Sequence, residues 1–215
     1  MMRREQVLFS VFNLLYTRFA WAYDMVAWVV SAGQWYNWVE TALPFIEAGP
    51  VLEVGCGRGR LLDSIAKLGY SVTGVDYTIE MAQHARQTSQ QPVIRGDGRQ
   101  LPFKDGHFST LITTFPAPYV LHAQTQQEFA RVVQPGGLWL WVDGPMLEPV
   151  AITTVARLIT RAAYGHVERD HAFPVLAAEE TTDLWQLTVT RVAVGYTSIA
   201  VQIARRSDVW EQFTT

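Results

Sequence analysis

Val51-Leu52-Glu53-Val54-Gly55-Cys56-Gly57-Arg58-Gly59 is the stretch whose reading decides the fold. A short apolar run enters three alternating glycines, and Arg60-Leu61-Leu62 then begins helix-compatible spacing. This order predicts a strand, a tight turn and a helix. Glycines at such a junction let the chain turn sharply and let a ligand approach the backbone where side chains would collide. A nicotinamide-binding loop would follow G-x-G-x-x-G/A, but its third position here is Arg60, which counts against a dinucleotide. Taken alone, the glycines serve a plain strand–helix junction as readily as a binding loop.

Outward from the loop, short β-rich runs alternate with helical stretches. The spacing predicts a strand at 51–54, a helix at 60–68 closed by Gly69-Tyr70, a strand at 71–75 and a helix at 79–87. Val93 and Ile94 mark a third strand, 110–114 a fourth and 124–133 a helix; Pro135-Gly136-Gly137 turns into a fifth strand at 138–142. Such alternation argues for a parallel sheet covered on both faces, because parallel neighbours need crossover connections. The end of the chain differs: 187–194 and 199–204 are strand-like and joined by four residues, which predicts an antiparallel hairpin. Residues 6–47 carry helical spacing broken at Gly33 and ended by Pro44 and Gly49, and predict two or three short helices; a further helix is expected near 152–164.

Two acidic residues follow predicted strands, at the end where open α/β sheets place ligands. Asp76 has the acceptor-only carboxylate suited to both hydroxyls of a ribose; it equally suits an N-cap of the following helix. Asp97, in Arg95-Gly96-Asp97-Gly98-Arg99, can accept the exocyclic amine of adenine or merely stabilise a turn.

Composition narrows the classes. The chain has 215 residues, 49% hydrophobic and 17% charged, so it can bury a full α/β core and reads as one domain over 1–215. A formal charge of -3 gives no general attraction to polyphosphate, which argues against nucleic acid as a partner. The lone Cys56 allows no internal disulfide and no cysteine-based metal cage, and fits a reducing cytoplasm. Arg3, Arg4 and the apolar residues after them resemble a secretory leader, but Asn13, Arg18 and Asp24 interrupt the run.

Together these features resemble the class I S-adenosylmethionine-dependent methyltransferases, in particular the group called methyltransferase type 11. The resemblance spans about 10–143 and rests on four ordered segments: Glu53 to Gly59, Asp76, Gly96-Asp97-Gly98 with Leu101-Pro102-Phe103, and Phe129-Ala130-Arg131-Val132-Val133-Gln134-Pro135-Gly136-Gly137. It implies a Rossmann-like, seven-stranded, mostly parallel sheet with an antiparallel C-terminal hairpin (residues 49–215) and an N-terminal helical cap (residues 1–48). It also implies S-adenosylmethionine as cofactor. Gly55, Cys56, Gly57 and Gly59 would line it, Glu53 would hold its methionine amino group, and Asp76, Asp97 and Gly98 its nucleoside. Tyr77 and Met81 would pack on the adenine. The segment Tyr16-Thr17-Arg18-Phe19-Ala20-Trp21-Ala22-Tyr23-Asp24 is similar to an N-terminal helix of many small-molecule members, which adds Tyr16 and Tyr23 to the cofactor side; Thr17 stands where an aspartate is common.

Methyl transfer needs alignment, exclusion of water and, for many acceptors, removal of a proton. Thr113-Thr114-Phe115-Pro116-Ala117-Pro118-Tyr119 lies where the acceptor pocket would open, and is not the D/N-P-P-Y/F tetrad of amino-methylating enzymes. Thr114 and Phe115 would meet the cofactor, Phe115 and Tyr119 would wall an apolar acceptor, or the prolines merely shape a strand exit. His122, Asp143 and Tyr119 are the catalytic candidates. His166, Glu168, Asp170 and His171 could form a metal cluster, but such charges in a loop are ordinarily solvated, and no metal is expected. Trp21, Trp28, Trp35 and Trp38 crowd one helical side, as core, as a lid over an apolar or aromatic small molecule, or as a peripheral membrane anchor. A catalytically inactive binding protein of the same fold and, further off, a nicotinamide oxidoreductase are the competing functions.

Overall fold

A computed structural model describes residues 31, 33–147, 184–195 and 197–207. Seven strands form one sheet: β1 (Val51–Val54), β2 (Val72–Asp76), β3 (Val93–Arg95), β4 (Phe108–Thr114), β5 (Val133–Leu147), β6 (Trp185–Val194) and β7 (Thr197–Arg206). Their order across the sheet is β3-β2-β1-β4-β5-β7-β6. The first five are parallel where they pair, while β7 runs antiparallel to both β5 and β6. The helices are α1 (Trp35–Val39), α2 (Arg60–Lys67), α3 (Ile79–Ser89) and α4 (Ala123–Val132), with 3-10 turns at Glu40–Phe45 and Pro118–Leu121. The expected fold class, including the closing hairpin, is the observed one.

The core lies on both faces of the sheet. Val51 packs with Leu61, Leu62, Ile65, Ala82, Ala85 and Trp38 on one face, whereas Leu52 and Val54 join Phe129, Trp139 and Trp141 on the other. That is why β1 is apolar almost throughout: parallel strands are covered on both sides, so alternation does not produce a polar row. Glu53 is the exception, a charged-type residue in an interior strand, on the Val51 face by alternation.

Three expectations shift in detail. Pro135-Gly136-Gly137 is a looped-out part of a long β5 rather than a turn before it: Val133 pairs with Phe108 and Leu138 with Thr110, leaving four residues of β5 opposite Ser109. Gly136 sits at φ 72, and a side chain on Gly137 would come within 2.8 Å of the Ser109 carbonyl oxygen. The C-terminal strands are longer than expected, so their connection shrinks from four residues to two, and Gly195 at φ 56 supplies the left-handed conformation that tight hairpins require. Finally, β5 outruns its neighbour: pairing with β4 ends at Thr114↔Val142, while pairing with β7 continues to Leu147↔Thr197. The β5–β7 pair thus forms a wall rising beyond the C-terminal edge of the parallel strands. Tyr16, Tyr23, Trp21, Trp28, the helix expected near 152–164 and the acidic–histidine cluster at 166–171 lie outside the described residues.

Candidate functional site

The site grows from the end of β1, where the strand order reverses between β1 and β4 and leaves a crevice at the carboxyl edge of the sheet. Gly55, Gly57 and Gly59 have φ of 79, 50 and 76, so all three occupy the left-handed region that other residues enter at a cost. Their surroundings differ. A Cβ on Gly59 would lie 2.8 Å from both Cα and O of Ala85 in α3, one on Gly55 would lie 3.7 Å from the Tyr119 hydroxyl, and one on Gly57 would meet nothing within 4 Å. Gly59 is therefore the packing glycine, and Gly57 the one that faces open space.

The loop is tied to the second strand. Gly55 and Cys56 donate backbone hydrogen bonds to the Val75 carbonyl, at 2.8 and 3.1 Å. Gly57 N–H donates to Asp76 Oδ2 at 2.9 Å, while Thr78 donates from its N–H (3.0 Å) and hydroxyl (3.1 Å) to Asp76 Oδ1. Asp76 is thus an Asx-type acceptor in the turn before α3, whose N-cap is Thr78. Burial pushes the Asp76 carboxyl above its usual range, opposed by the Thr78, Gly57 and Tyr77 donors. A diol that takes both its oxygens must share Oδ1 with Thr78 and Oδ2 with Gly57.

Glu53 stands beneath this loop. It is 2% exposed, and its Oε2 has no hydrogen-bond partner. Burial, then the Asp76 charge, drives its carboxyl well above the ordinary glutamate value. Such an orphaned acceptor costs free energy that a cationic ligand would recover. Cys56 is buried beside it; a side chain on Gly74 would press within 2.9 Å of its sulfur. Burial and the two carboxylates raise the thiol far above its normal range, which keeps it protonated and unreactive.

Asp97 lies in the third segment at the same edge. Its carboxylate accepts from the Arg99 backbone (2.9 Å), from Arg99 Nε on both oxygens and from Nη2 (2.6 Å), which holds it below the usual carboxylate range. The pair is well exposed, so a ligand amine can exchange with Arg99 at little cost. Gly98 is buried under Tyr119, and a Cβ there would lie 2.9 Å from the ring. Tyr77 projects into solvent with 65% of its surface exposed, and Met81 is buried.

At the exit of β4, Thr114 is half-buried and Phe115 adopts φ 45, a left-handed conformation unusual for an aromatic residue. Its N–H donates to the Val142 carbonyl at 2.9 Å, and its ring lies 4.5 Å from Trp35, tilted by 31°. Trp38, next on that helix, is wholly buried in the core. Tyr119 puts its hydroxyl near Gly55 and its backbone carbonyl under Thr125 Oγ1 (2.8 Å). His122 is exposed and caps α4 through its backbone carbonyl, which receives the N–H groups of Thr125 and Gln126. Asp143, expected just past the end of the fifth strand, lies half-buried inside it, because pairing with β7 carries β5 on to Leu147; it accepts from Gln202 Nε2 at 3.4 Å. The structure therefore gathers Glu53, the glycines, Asp76, Gly98 and Tyr119 at one crevice, with Phe115 at the exit of β4 and Asp143 in β5 just past the last β4–β5 pair; His122 is exposed.

Sequence reasoning passed over two groups. Glu128 accepts the Leu101 N–H, and Arg131 donates to the carbonyls of Leu101 (3.0 Å) and Phe103 (2.8 Å) while paired with Glu128 and Asp105. Together they clamp the segment that carries Asp97. Gln202 is the other, buried on β7, with its Oε1 unpartnered. Among the described residues no group of His, Cys, Asp or Glu could hold a metal ion, and no helix is long and apolar enough to cross a membrane.

Residues 52–141 match the family model described as a methyltransferase domain. YqeM of Bacillus subtilis (strain 168), provisionally named a methyltransferase, is 31% identical over 137 residues, 60% of this chain and 55% of that protein. The demethylmenaquinone methyltransferase of Tropheryma whipplei (strain Twist) is 34% identical over 130 residues, 57% of this chain and 54% of that one. The matches thus span about half the length of these curated relatives. A crystal structure of a SAM-dependent methyltransferase from Thermotoga maritima superposes with a TM-score of 0.65 at 16% identity, covering 91% of this chain and 99% of that one. The fold is that of the class I methyltransferases.

Proposed function

We propose, from the methyltransferase domain that residues 52–141 carry, that the protein binds S-adenosylmethionine and transfers its methyl group to a small apolar or aromatic molecule. The observation that carries this reading is Glu53: a buried carboxyl with an unpartnered oxygen, directly before the glycine loop, in a strand otherwise apolar. A cationic amino acid moiety is the kind of ligand that fits such a group, and Gly57 leaves room for it at the backbone.

Glu53 would hold the methionine amino group, Asp76 the ribose and Asp97 the adenine amine, with the exposed Tyr77 ring as an apolar cover. When bound, S-adenosylmethionine supplies a methyl group on a positively charged sulfur. The chain's own part is alignment and dryness. Phe115 and Trp35 offer adjoining aromatic faces, and Tyr119 closes the crevice over Gly98. A water-poor wall strengthens every charge interaction made inside it. The relatives named for demethylmenaquinone support an acceptor with an apolar ring, which suits these aromatic walls.

Calorimetry with S-adenosylhomocysteine and, separately, NAD tests the reading. S-adenosylhomocysteine should bind and NAD should not, and Asp76→Asn should weaken binding roughly tenfold to a hundredfold, the loss expected for one charge-assisted hydrogen bond. Equal binding of both ligands, or unchanged affinity in a folded Asp76→Asn variant, refutes it.

A further inference from the structure

On the acceptor side, the wall built by β5 and β7 carries an irregularity. Val142 pairs with Val201 and Pro145 with Ile199, so Asp143 and Gly144 stand opposite Ala200 alone. This is a β-bulge, which bends a strand and re-aims the side chain it carries. It falls one residue beyond the last β4–β5 pair, Thr114↔Val142, and so next to Phe115 on the neighbouring strand end. Behind the bulge, Gln202 is 2% exposed; its amide nitrogen donates to Asp143 Oδ2 at 3.4 Å, and its amide oxygen is buried without a partner. A buried amide with one end committed to a carboxylate and the other unsatisfied is expensive in a wall that could be wholly apolar.

We infer that Asp143 and Gln202 form an acceptor-binding pair, which selects molecules presenting a proton-bearing hydroxyl or amine on a flat apolar body. Asp143 receives the hydrogen bond from that X–H group. Gln202 is a positioning residue: its NH2 fixes the carboxylate in the bulge. Trp141, the cross-strand partner of Gln202, places an aromatic ring on the same face of the sheet. In the transfer, the X–H bond breaks and its proton passes to Asp143. The pair left on X forms the bond to the methyl carbon as the carbon–sulfur bond breaks, leaving its electrons on a neutral thioether. The inference rests on the methyltransferase reading above, and its test separates the two.

The protein saturated with S-adenosylhomocysteine is titrated with 1-naphthol, 1-naphthylamine and 1-methoxynaphthalene, which share a ring body while only the first two carry X–H. At least one of those two should bind about tenfold or more tightly than the methoxy compound, and which one does so identifies the donor. Asp143→Asn and Gln202→Leu should each erase the preference while S-adenosylhomocysteine affinity stays within about twofold, since neither touches the cofactor side. Gln202→Met serves the same purpose should the leucine variant fail to fold. Failure to bind S-adenosylhomocysteine overturns the methyltransferase reading and this inference with it. Intact cofactor-side binding with equal or undetectable binding of all three naphthalenes, or a preference surviving both substitutions, overturns the inference alone.

Discussion

The three glycines of the loop share a backbone conformation but not a job, and paired substitutions separate the two jobs. Alanine at Gly57 carries only the conformational penalty of φ 50, because nothing lies within 4 Å of its Cβ. That penalty is about 1–2 kcal/mol, partly offset by roughly 0.4–1 kcal/mol from the stiffer unfolded chain. Alanine at Gly59 carries the same backbone cost at φ 76 and adds a methyl 2.8 Å from the Ala85 backbone, against an ordinary carbon contact of about 3.5–4.0 Å. Helix α3 cannot yield there as a flexible side chain would, so an overpacking cost of about 1–3 kcal/mol is added. Gly57→Ala should thus lower the melting temperature by no more than roughly 6 °C, and Gly59→Ala by roughly 2–18 °C, at about 2–4 °C per kcal/mol for a chain of this length. Binding should run the other way. The open space beside Gly57 is where the ligand approaches, so Gly57→Ala should lose S-adenosylhomocysteine affinity about tenfold or more, at about 1.4 kcal/mol per decade. Calorimetric melting and binding on the same preparations decide it. Were Gly57→Ala the more destabilised variant, or were it to bind as tightly as wild type, the division of roles would be wrong.

Two further outcomes follow from the buried and clamped charges. For Glu53 the folded carboxyl titrates above its unfolded value of 4.5, so between those two points the folded state keeps a proton that the unfolded chain has lost. Stability should therefore fall as pH rises from about 4.5, and Glu53→Gln should flatten that slope in urea midpoints taken without ligand while weakening S-adenosylhomocysteine binding; an unchanged slope would show that Glu53 is not the titrating group. At the clamp, Arg131→Met should free the 97–103 segment from both carbonyl contacts, costing on the order of 1–3 kcal/mol of stability and speeding amide exchange at Leu101 before it does so in β1. Uniform exchange across both segments would argue against a local clamp.

What could be read from the residues was local in the chain. Glu53 to Gly59 is one strand–turn–helix unit, and its glycines announce their φ values because no other residue type meets that need cheaply. The register of the hairpin was visible in outline only, since its ends depend on partners rather than on propensity: Trp185 and Arg206 pair with each other and extend both strands past the run of apolar alternation. Helical spacing alone does not say which face of α3 the sheet will cover: packing buries Met81, while Tyr77, four residues earlier, stays in solvent. Arg131 belongs to the run Phe129 to Gly137, yet its partners at Leu101, Phe103 and Asp105 lie 26 to 30 residues back, beyond the reach of any pattern along the helix.

The acceptor side was harder to read for the same reason, carried further. Asp143 could be named as the end of a strand, but what makes it more than an end is Gln202, 59 residues later, arriving through an antiparallel strand inserted between β5 and β6. One local signal did exist. Asp143-Gly144-Pro145 interrupts a strand that otherwise runs to Leu147, and glycine and proline inside a strand mark the places where a ladder is broken and a side chain redirected. In a strand lying between β4 and β7 such an interruption weakens the ladder, and it occurs where β5 outruns β4 and a buried amide reaches its carboxylate. The cofactor half of the crevice is therefore set by backbone conformation, written in glycines, and the acceptor half by pairing between distant strands, written in where the ladder fails.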